Sequence, residues 1–260
     1  MVNDSIQLDL TDLALALGLI GMAIALSLWQ KLGLEGQLIF AALRSLVQLT
    51  IVGSILAFIF ELNNPIAILI VLGVMLTIAA IVASNRIGKK IEGLLPVVWI
   101  SIFASSILTL SYTILLIIQP LTWYQPQYLI PLAGMVFGQA LNGASLAGER
   151  LASTINRNSL EIETHLCLGA TPKQAITIYR KEAIRIGLIP ILNQMMVVGM
   201  VSLPGMFTGQ VLAGSDPLEA ASYQILILFV LVSTNLMTTF LVTEGVYRKF
   251  FNKDAQLILP

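Results

Sequence analysis

The chain is written as long apolar runs separated by short polar breaks. A helix of about 20 apolar residues crosses roughly 30 Å of hydrocarbon. Seven runs reach that length: about 8–30, 38–60, 65–84, 96–118, 128–147, 184–203 and 218–243. Three carry start signals. Asn64-Pro65 offers an N-cap followed by proline at the first helical position, and Leu95-Pro96 offers the proline alone. Asp216-Pro217-Leu218-Glu219 adds a carboxylate at the third position. The pattern predicts an all-α, polytopic transmembrane protein with about seven helices. It forms a single transmembrane domain over residues 1–260, interrupted by one sizeable polar segment at about 148–181.

The first run, Leu8 to Trp29, is preceded or opened by Asp4, Asp9 and Asp12 and by no Lys or Arg. A cleaved signal peptide wants a basic start and a shorter apolar stretch, so this run reads as a retained transmembrane helix. The basic residues then set the orientation. Lys31 follows helix 1, and Arg86, Lys89 and Lys90 follow helix 3. Arg150, Arg157, Lys173, Arg180, Lys181 and Arg185 lie between helices 5 and 6, and Arg248, Lys249 and Lys253 follow helix 7. Arg44 falls inside a run, Arg185 stands at the very start of the sixth, and the alternate loops hold none. The positive-inside rule predicts the N-terminus outside and the C-terminus in the cytoplasm of a multi-pass protein in the cell (inner or plasma) membrane.

Composition sharpens this picture. Of 260 residues, 57% are hydrophobic and 11% charged, against roughly 25% charged in ordinary globular chains. Mean hydropathy is +0.89. Lipid is the natural solvent for such a chain, and a net charge of zero gives no general case for nucleic acid as a partner. One cysteine, Cys167, excludes an intrachain disulfide, and one histidine, His165, excludes sites built on paired His or paired Cys.

The polar segment carries the best functional signal. Asn158 can cap a helix, with Glu161 three residues on, and that helix runs through Glu163 to Leu168. Gly169 tolerates φ > 0 and is a common helix stop. Thr171, Pro172 and Gln174 then restart the helix as N-cap, first residue and capping-box partner. The segment is therefore written helix, sharp turn, helix on the cytoplasmic face, with Leu168-Gly169-Ala170-Thr171 as its exposed turn. Two readings stand: a structural hairpin, or an elbow that docks a partner.

Glu163 followed six residues later by Gly169 resembles the coupling loop of ATP-binding-cassette (ABC) importers, although the importer's downstream proline comes sooner than Pro190 does here. A closer likeness lies in Leu168-Gly-Ala-Thr-Pro-Lys-Gln-Ala175 and in Val201-Ser-Leu-Pro-Gly-Met-Phe-Thr-Gly-Gln-Val-Leu-Ala-Gly214, followed by Asp216-Pro217. With Arg44-Ser-Leu-Val-Gln-Leu49 and Pro131-Leu-Ala-Gly-Met135, these stretches resemble the iron-export ABC permeases of the FetB type, which have plant relatives linked to aluminium tolerance. The resemblance implies a permease homodimer bound to two copies of a separate ATPase. It also implies outward movement of iron, another metal ion or a metal-linked small solute. Glu163, Leu168, Gly169, Ala170, Thr171 and Pro172 become the ATPase-coupling residues. ATP and Mg are expected on the partner ATPase and no cofactor in this chain, which has no Gly-x-x-x-x-Gly-Lys-Ser/Thr loop.

Polar groups inside the apolar runs are candidates for a pathway. Arg44 and Gln48 share one face of helix 2. Arg44 either snorkels or pairs structurally, or it gates; its positive charge rules out direct metal ligation. Helix 5 offers Gln139 and Asn142 beside a Gly134–Gly138 pair that permits close helix contact. Helix 6 offers Asn193 and Gln194, then Met196 and Met200 one turn apart, which serve either as soft ligands or as packing. Helix 7 offers Asn235. The glycine-rich stretch 202–216, broken at Pro204, reads as a broken or re-entrant piece at an outer gate, with Gly205, Gly209 and Gly214 as pivots.

The alternative is an ATP-independent secondary carrier or channel. Proton or sodium coupling would want buried acidic or histidine relays, and no Asp, Glu or His lies near the centre of any run, which argues against proton coupling. An intramembrane enzyme wants a two-Asp or Ser-His pair at one depth, and none is available within the runs. A non-enzymatic permease subunit is the expectation.

Overall fold

The computed structural model of the chain describes residues 10–62, 64–89, 91–120, 122–252 and 254–259. Asp4, Leu8, Asp9, Lys90 and Lys253, used above to bound or orient helices, lie outside the described residues. Among those described, the fold is helical, with isolated bridges but no strand. It divides into two compact units.

The first unit holds α1 (Leu10–Trp29) and α2 (Glu35–Leu62), together with Leu212–Gly214. α1 and α2 pack on each other as a hairpin. Lys31 and Gly33 turn the chain at φ 53° and 69°. The buried Ser27 hydroxyl donates to the Glu35 carboxylate across the turn, at 3.0 Å. Arg44 and Gln48 lie in the middle of α2, four apart on one face, and both are exposed within their unit.

The second unit holds α3 (Pro65–Ile87), α4 (Leu94–Tyr112, ending in a π-helical turn Thr113–Ile118), α5 (Pro126–Arg157), α6 (Ser159–Cys167) and α7 (Pro172–Ala175). These are followed by α8 (Thr177–Val197), α9 (Gly205–Leu212) and α10 (Pro217–Tyr247). α5 is the hub and packs against α3, α4, α8 and α10. Two start signals act as predicted: α3 begins at Pro65, and the Asp216 carboxylate accepts from the Leu218 and Glu219 amides at 2.8 and 3.2 Å. Pro96 differs. α4 already begins at Leu94 after Gly93, which adopts φ 65°, so Pro96 sits at the third helical position, where a missing N–H still costs nothing.

In lipid there is no hydrophobic drive between helices, so small residues and shared hydroxyls must hold them. Ser105 and Ser106 of α4 are buried, and the Ser105 hydroxyl is hydrogen-bonded to the Thr238 hydroxyl of α10 at 2.6 Å. One turn further on, Thr109 and Thr234 repeat the bond at 2.8 Å. The α5–α10 crossing is closer still. A Cβ on Gly143 would stand 1.8 Å from Asn235 Oδ1, and one on Gly187 of α8 would stand 2.8 Å from the Thr239 methyl. The Asn235 amide, fully enclosed, donates to the Gly187 carbonyl at 3.1 Å and so ties α10 to α8 through the gap. The Gly134–Gly138 pair does not act as a joint contact: Gly134 receives Met75 of α3, and Gly138 faces open space.

Five described helices are long and apolar enough to cross a membrane: α2, α3, α4 with its π turn, α5, and α10 with its 3₁₀ extension. α1 contributes a shorter apolar stretch, Leu15–Trp29. The sixth expected span is corrected. α8 runs Thr177–Val197 rather than 184–203, and its first half carries Arg180, Lys181, Glu182 and Arg185. Its apolar part is therefore short, about 18 Å at 1.5 Å per residue.

Gly143→Ala should destabilise the purified protein by about 1–3 kcal/mol, the usual cost of overpacking. Asn235→Ala removes the obstructing atom, so the double variant should cost less than the sum of the two singles. Detergent-solubilised denaturation curves for the four proteins measure the coupling.

Candidate functional site

The polar segment folds as an elbow. α6 closes with a Schellman turn. Gly169, at φ 91°, donates to the Leu166 carbonyl, and Ala170 donates to the His165 carbonyl, both at 3.0 Å. Thr171 then opens α7 with a reciprocal capping box: the Gln174 amide donates to the Thr171 hydroxyl at 3.3 Å, and the Thr171 amide donates to Gln174 Oε1 at 2.8 Å. The backbone N–H groups of Leu168, Gly169, Ala170 and Thr171 are thereby all committed. Leu168, Gly169 and Thr171 are exposed, Ala170 and Pro172 half-buried, and Leu168 stands 80% exposed at the tip with Glu163 exposed behind it. Ile162 and Ile176 close the inside of the bend and are fully buried.

The start of the elbow differs from the sequence reading. Asn158 does not cap α6 with its side chain; its amide donates back to the Thr154 carbonyl at 2.9 Å. α5 runs on to Arg157, so Asn158 finishes α5 instead of starting a separate helix, and α6 continues α5 after a one-residue break. Arg150 and Arg157 are accordingly helical residues of α5.

Across the bend, burial and the neighbouring Glu161 carboxylate push the Tyr179 hydroxyl up to about 12. The folded value lies above the ordinary 10, so this contact contributes fully below pH 10 and is lost as pH rises toward about 12. The phenol is therefore a neutral donor throughout the physiological range. One residue on, Arg180 is buried and makes a dense set of contacts. It pairs with Glu244 of α10 at 2.7 Å, donates to the Thr243 hydroxyl at 3.3 Å and to the Phe240 carbonyl at 3.2 Å, and stacks over the Phe240 ring at 4.6 Å. Glu244 also holds Arg248 at 2.7 Å. Arg150 of α5 and Glu182 of α8 pair at 2.5 Å. The elbow is thus continuous with α5 on one arm and clasped to α10 on the other. Sequence reasoning counted Arg180 as a loop charge; its distance from Glu244 in sequence hid the clasp.

A second feature lies between α3, α5 and α8. A cleft of about 300 Å³ is lined by Arg86, Gln139, Asn142, Leu146, Gly187, Pro190, Ile191 and Gln194. The predicted pathway residues Gln139 and Asn142 meet here. Asn193 and Met196 are exposed on α8 but away from the cleft. Gln194 takes the place expected of Asn193, because successive helical residues point about 100° apart. Its signal was present in the spacing: Gly187, Pro190, Ile191 and Gln194 fall on one face. Arg86 was expected after helix 3, but α3 extends to Ile87 and carries it. Asn235 sits in the α8–α10 contact instead, fully buried. Met200 lies past the end of α8, so the one-turn spacing from Met196 does not exist in the fold. Among the described residues, no three His, Cys, Asp or Glu side chains gather to hold a metal. A larger cavity of about 370 Å³ between α3, α4 and α5 is almost wholly apolar and has little with which to orient a polar solute.

Beyond α8 the stretch expected to form the outer gate is irregular and then helical. Val198 bridges to Ser202, Pro204 precedes α9, and Gly205 and Gly209 are helical residues of α9. The left-handed positions are Gly199, at φ 82°, and Gly214, at φ 88°. Of the three expected pivots, only Gly214 therefore adopts a backbone that needs glycine.

Residues 10–251 match the family described as UPF0014, an uncharacterised protein family. A UPF0014 membrane protein of Synechocystis sp., slr1647, is 58% identical over 259 residues, covering all of both chains. The probable iron export permease protein FetB of Escherichia coli is 36% identical over 248 residues, covering 95% of this chain and 94% of that one. Protein ALUMINUM SENSITIVE 3 of Arabidopsis thaliana is 35% identical over 249 residues, covering 94% and 88%. No solved structure matches.

The clasp predicts an asymmetry. Glu244→Leu strands the buried Arg180 charge and should cost about 3–5 kcal/mol, as breaking a buried pair does. Arg180→Met should cost less, because Arg248 still neutralises Glu244. Unfolding of the two purified variants measures the difference; equal losses would refute the sharing of Glu244.

Proposed function

The chain belongs to the UPF0014 family of membrane proteins, and from that premise we propose that it is the membrane-spanning permease subunit of an ABC transporter. It exports iron, another metal ion or a metal-linked small solute by ATP-driven alternating access. Two permease chains pair and bind two copies of a separate ATPase, which holds ATP and Mg. The N-terminus is outside, the C-terminus is cytoplasmic, and seven helices cross the cell membrane, the sixth completed by the irregular piece after α8. A relative named a probable iron export permease, aligned over nearly the whole chain, supports the cargo assignment.

The elbow is the observation that carries this reading. An external motor needs a handle that is exposed, rigid and mechanically continuous with the membrane helices. The Schellman turn and capping box give rigidity, and Leu168 gives an apolar tip for a partner groove. Displacement of the tip moves α5 through α6. It moves α8 through α7, and the Arg180 clasp passes that motion to α10. α5 and α8 are two walls of the polar cleft, so a push at the elbow changes the cleft's shape. Glu163, Ala170, Thr171 and Pro172 position the tip; Pro204, Gly205, Gly209 and Gly214 belong to the outer closure.

Leu168→Arg should abolish copurification of the ATPase and ATP-dependent export while leaving membrane insertion and the melting profile unchanged, because Leu168 stands 80% exposed at the tip. Gly169→Ala should weaken coupling less, through about 1–2 kcal/mol of left-handed strain at the bend. Continued copurification and export in Leu168→Arg would show that the elbow is not the docking point.

A further inference from the structure

The polar side chains of the cleft have no partners. Among the described residues, Arg86, Gln139, Asn142 and Gln194 make no hydrogen bond and no ion pair within the chain; Gln139 is half-buried and the other three are exposed, all four opening onto the same cleft. The α4–α10 seam differs: there Ser105, Thr109, Thr234 and Thr238 satisfy one another or their own backbones. An unsatisfied polar group facing hydrocarbon costs several kcal/mol. Four of them converging on one cavity are positioned for something that enters it.

Their chemistry selects the visitor. A guanidinium offers five N–H donors in a planar fork, and each carboxamide adds an NH₂ and a carbonyl. The cleft holds no carboxylate, imidazole or thiol. Hard cations such as divalent metals take carboxylate-rich oxygen shells, and softer ones take imidazole or thiolate. A bare metal ion would lose its hydration shell here, gain only neutral amide oxygens and meet a fixed positive charge. An oxyanion meets the reverse: a fork that matches carboxylate or phosphate geometry and amide donors to complete its shell.

We propose that this cleft takes its cargo as a compact anionic complex, a metal already wrapped in carboxylate or phosphate ligands, with Arg86 engaging the ligand oxygens and Gln139, Asn142 and Gln194 completing the contact. The metal is never bound by this chain directly; the chelate is what the permease recognises. The inference rests on reading the chain as a transport subunit and narrows its substrate class.

The test measures equilibrium binding of radioactive iron to the purified full-length chain, alone and with its ATPase. The iron is presented as its citrate complex, as its pyrophosphate complex, or as bare iron(II) under reductant. Binding of one or both chelates, with bare iron(II) neither binding nor competing, is the expected result, and the two chelate arms separate a carboxylate from a phosphate preference. Arg86→Gln should weaken chelate binding at least tenfold. Arg86→Lys should recover part of it, since the charge remains and the fork is lost. Asn142→Leu, which leaves every charge in place, should weaken it too. Equal or tighter binding of bare iron(II), no binding of either chelate, or unchanged chelate binding in both Arg86→Gln and Asn142→Leu overturns the proposal. ATPase copurification is read on the same samples: its loss in the wild type defeats the ABC assignment, whereas its retention with failed chelate binding defeats only the substrate inference.

Discussion

The fold depends on how closely α5, α8 and α10 approach one another at Gly143 and Gly187. Lipid gives helices no hydrophobic reason to associate, so contact must come from dispersion at short range and from polar groups that find partners. Gly143 allows Asn235 to press into α5, and Asn235 in turn bonds the carbonyl of Gly187. Three helices meet at that point, with the Asn235 side chain of α10 seated against the bare backbones of Gly143 and Gly187. The hydroxyl pairs between α4 and α10 extend the same seam to the fourth helix.

This packing makes the elbow mechanically useful. A hairpin on a loose bundle would absorb displacement at its root. Here one arm is continuous with the hub helix, and the other is fastened to α10 by a buried guanidinium with a carboxylate, a hydroxyl, a carbonyl and an aromatic face around it. Arg is suited to this role because its planar fork and stacking face serve several partners at once. The N–H groups of the bend, Leu168 to Thr171, are all bonded within the chain, so its shape is held by hydrogen bonds and does not require a partner to fold it.

Two sets of polar residues within the bundle serve opposite ends. Along the α4–α10 seam they are paired and enclosed, and they hold helices together. Along the α3–α5–α8 cleft they are unpaired and accessible. Asn235 and Asn142 are the same residue type on apolar helices, but one is enclosed by a glycine gap and the other opens onto a cavity. Asn235 spends its amide on the Gly187 carbonyl, whereas Asn142 has no partner within the chain.

Much was legible in the sequence because it depends on local chemistry. The apolar runs, the starts at Pro65 and Asp216, the left-handed stop at Gly169 and the capping box at Thr171 and Gln174 each involve residues within a few positions of one another. Gln139 and Asn142 could be singled out as polar groups in an apolar helix. Their partners could not, because Gln194 and Arg86 reach the same cavity from helices packed against α5, and only packing decides which face of each helix points there. The same holds for Arg180 and Glu244, for Asn235 in its glycine gap and for the end of α8 at Val197. Sequence by itself determined the elements and the bend, since those follow from backbone preference and capping. Tertiary structure alone decided which polar groups neutralise one another and which are left open, since that is a matter of distance between helices far apart in the chain.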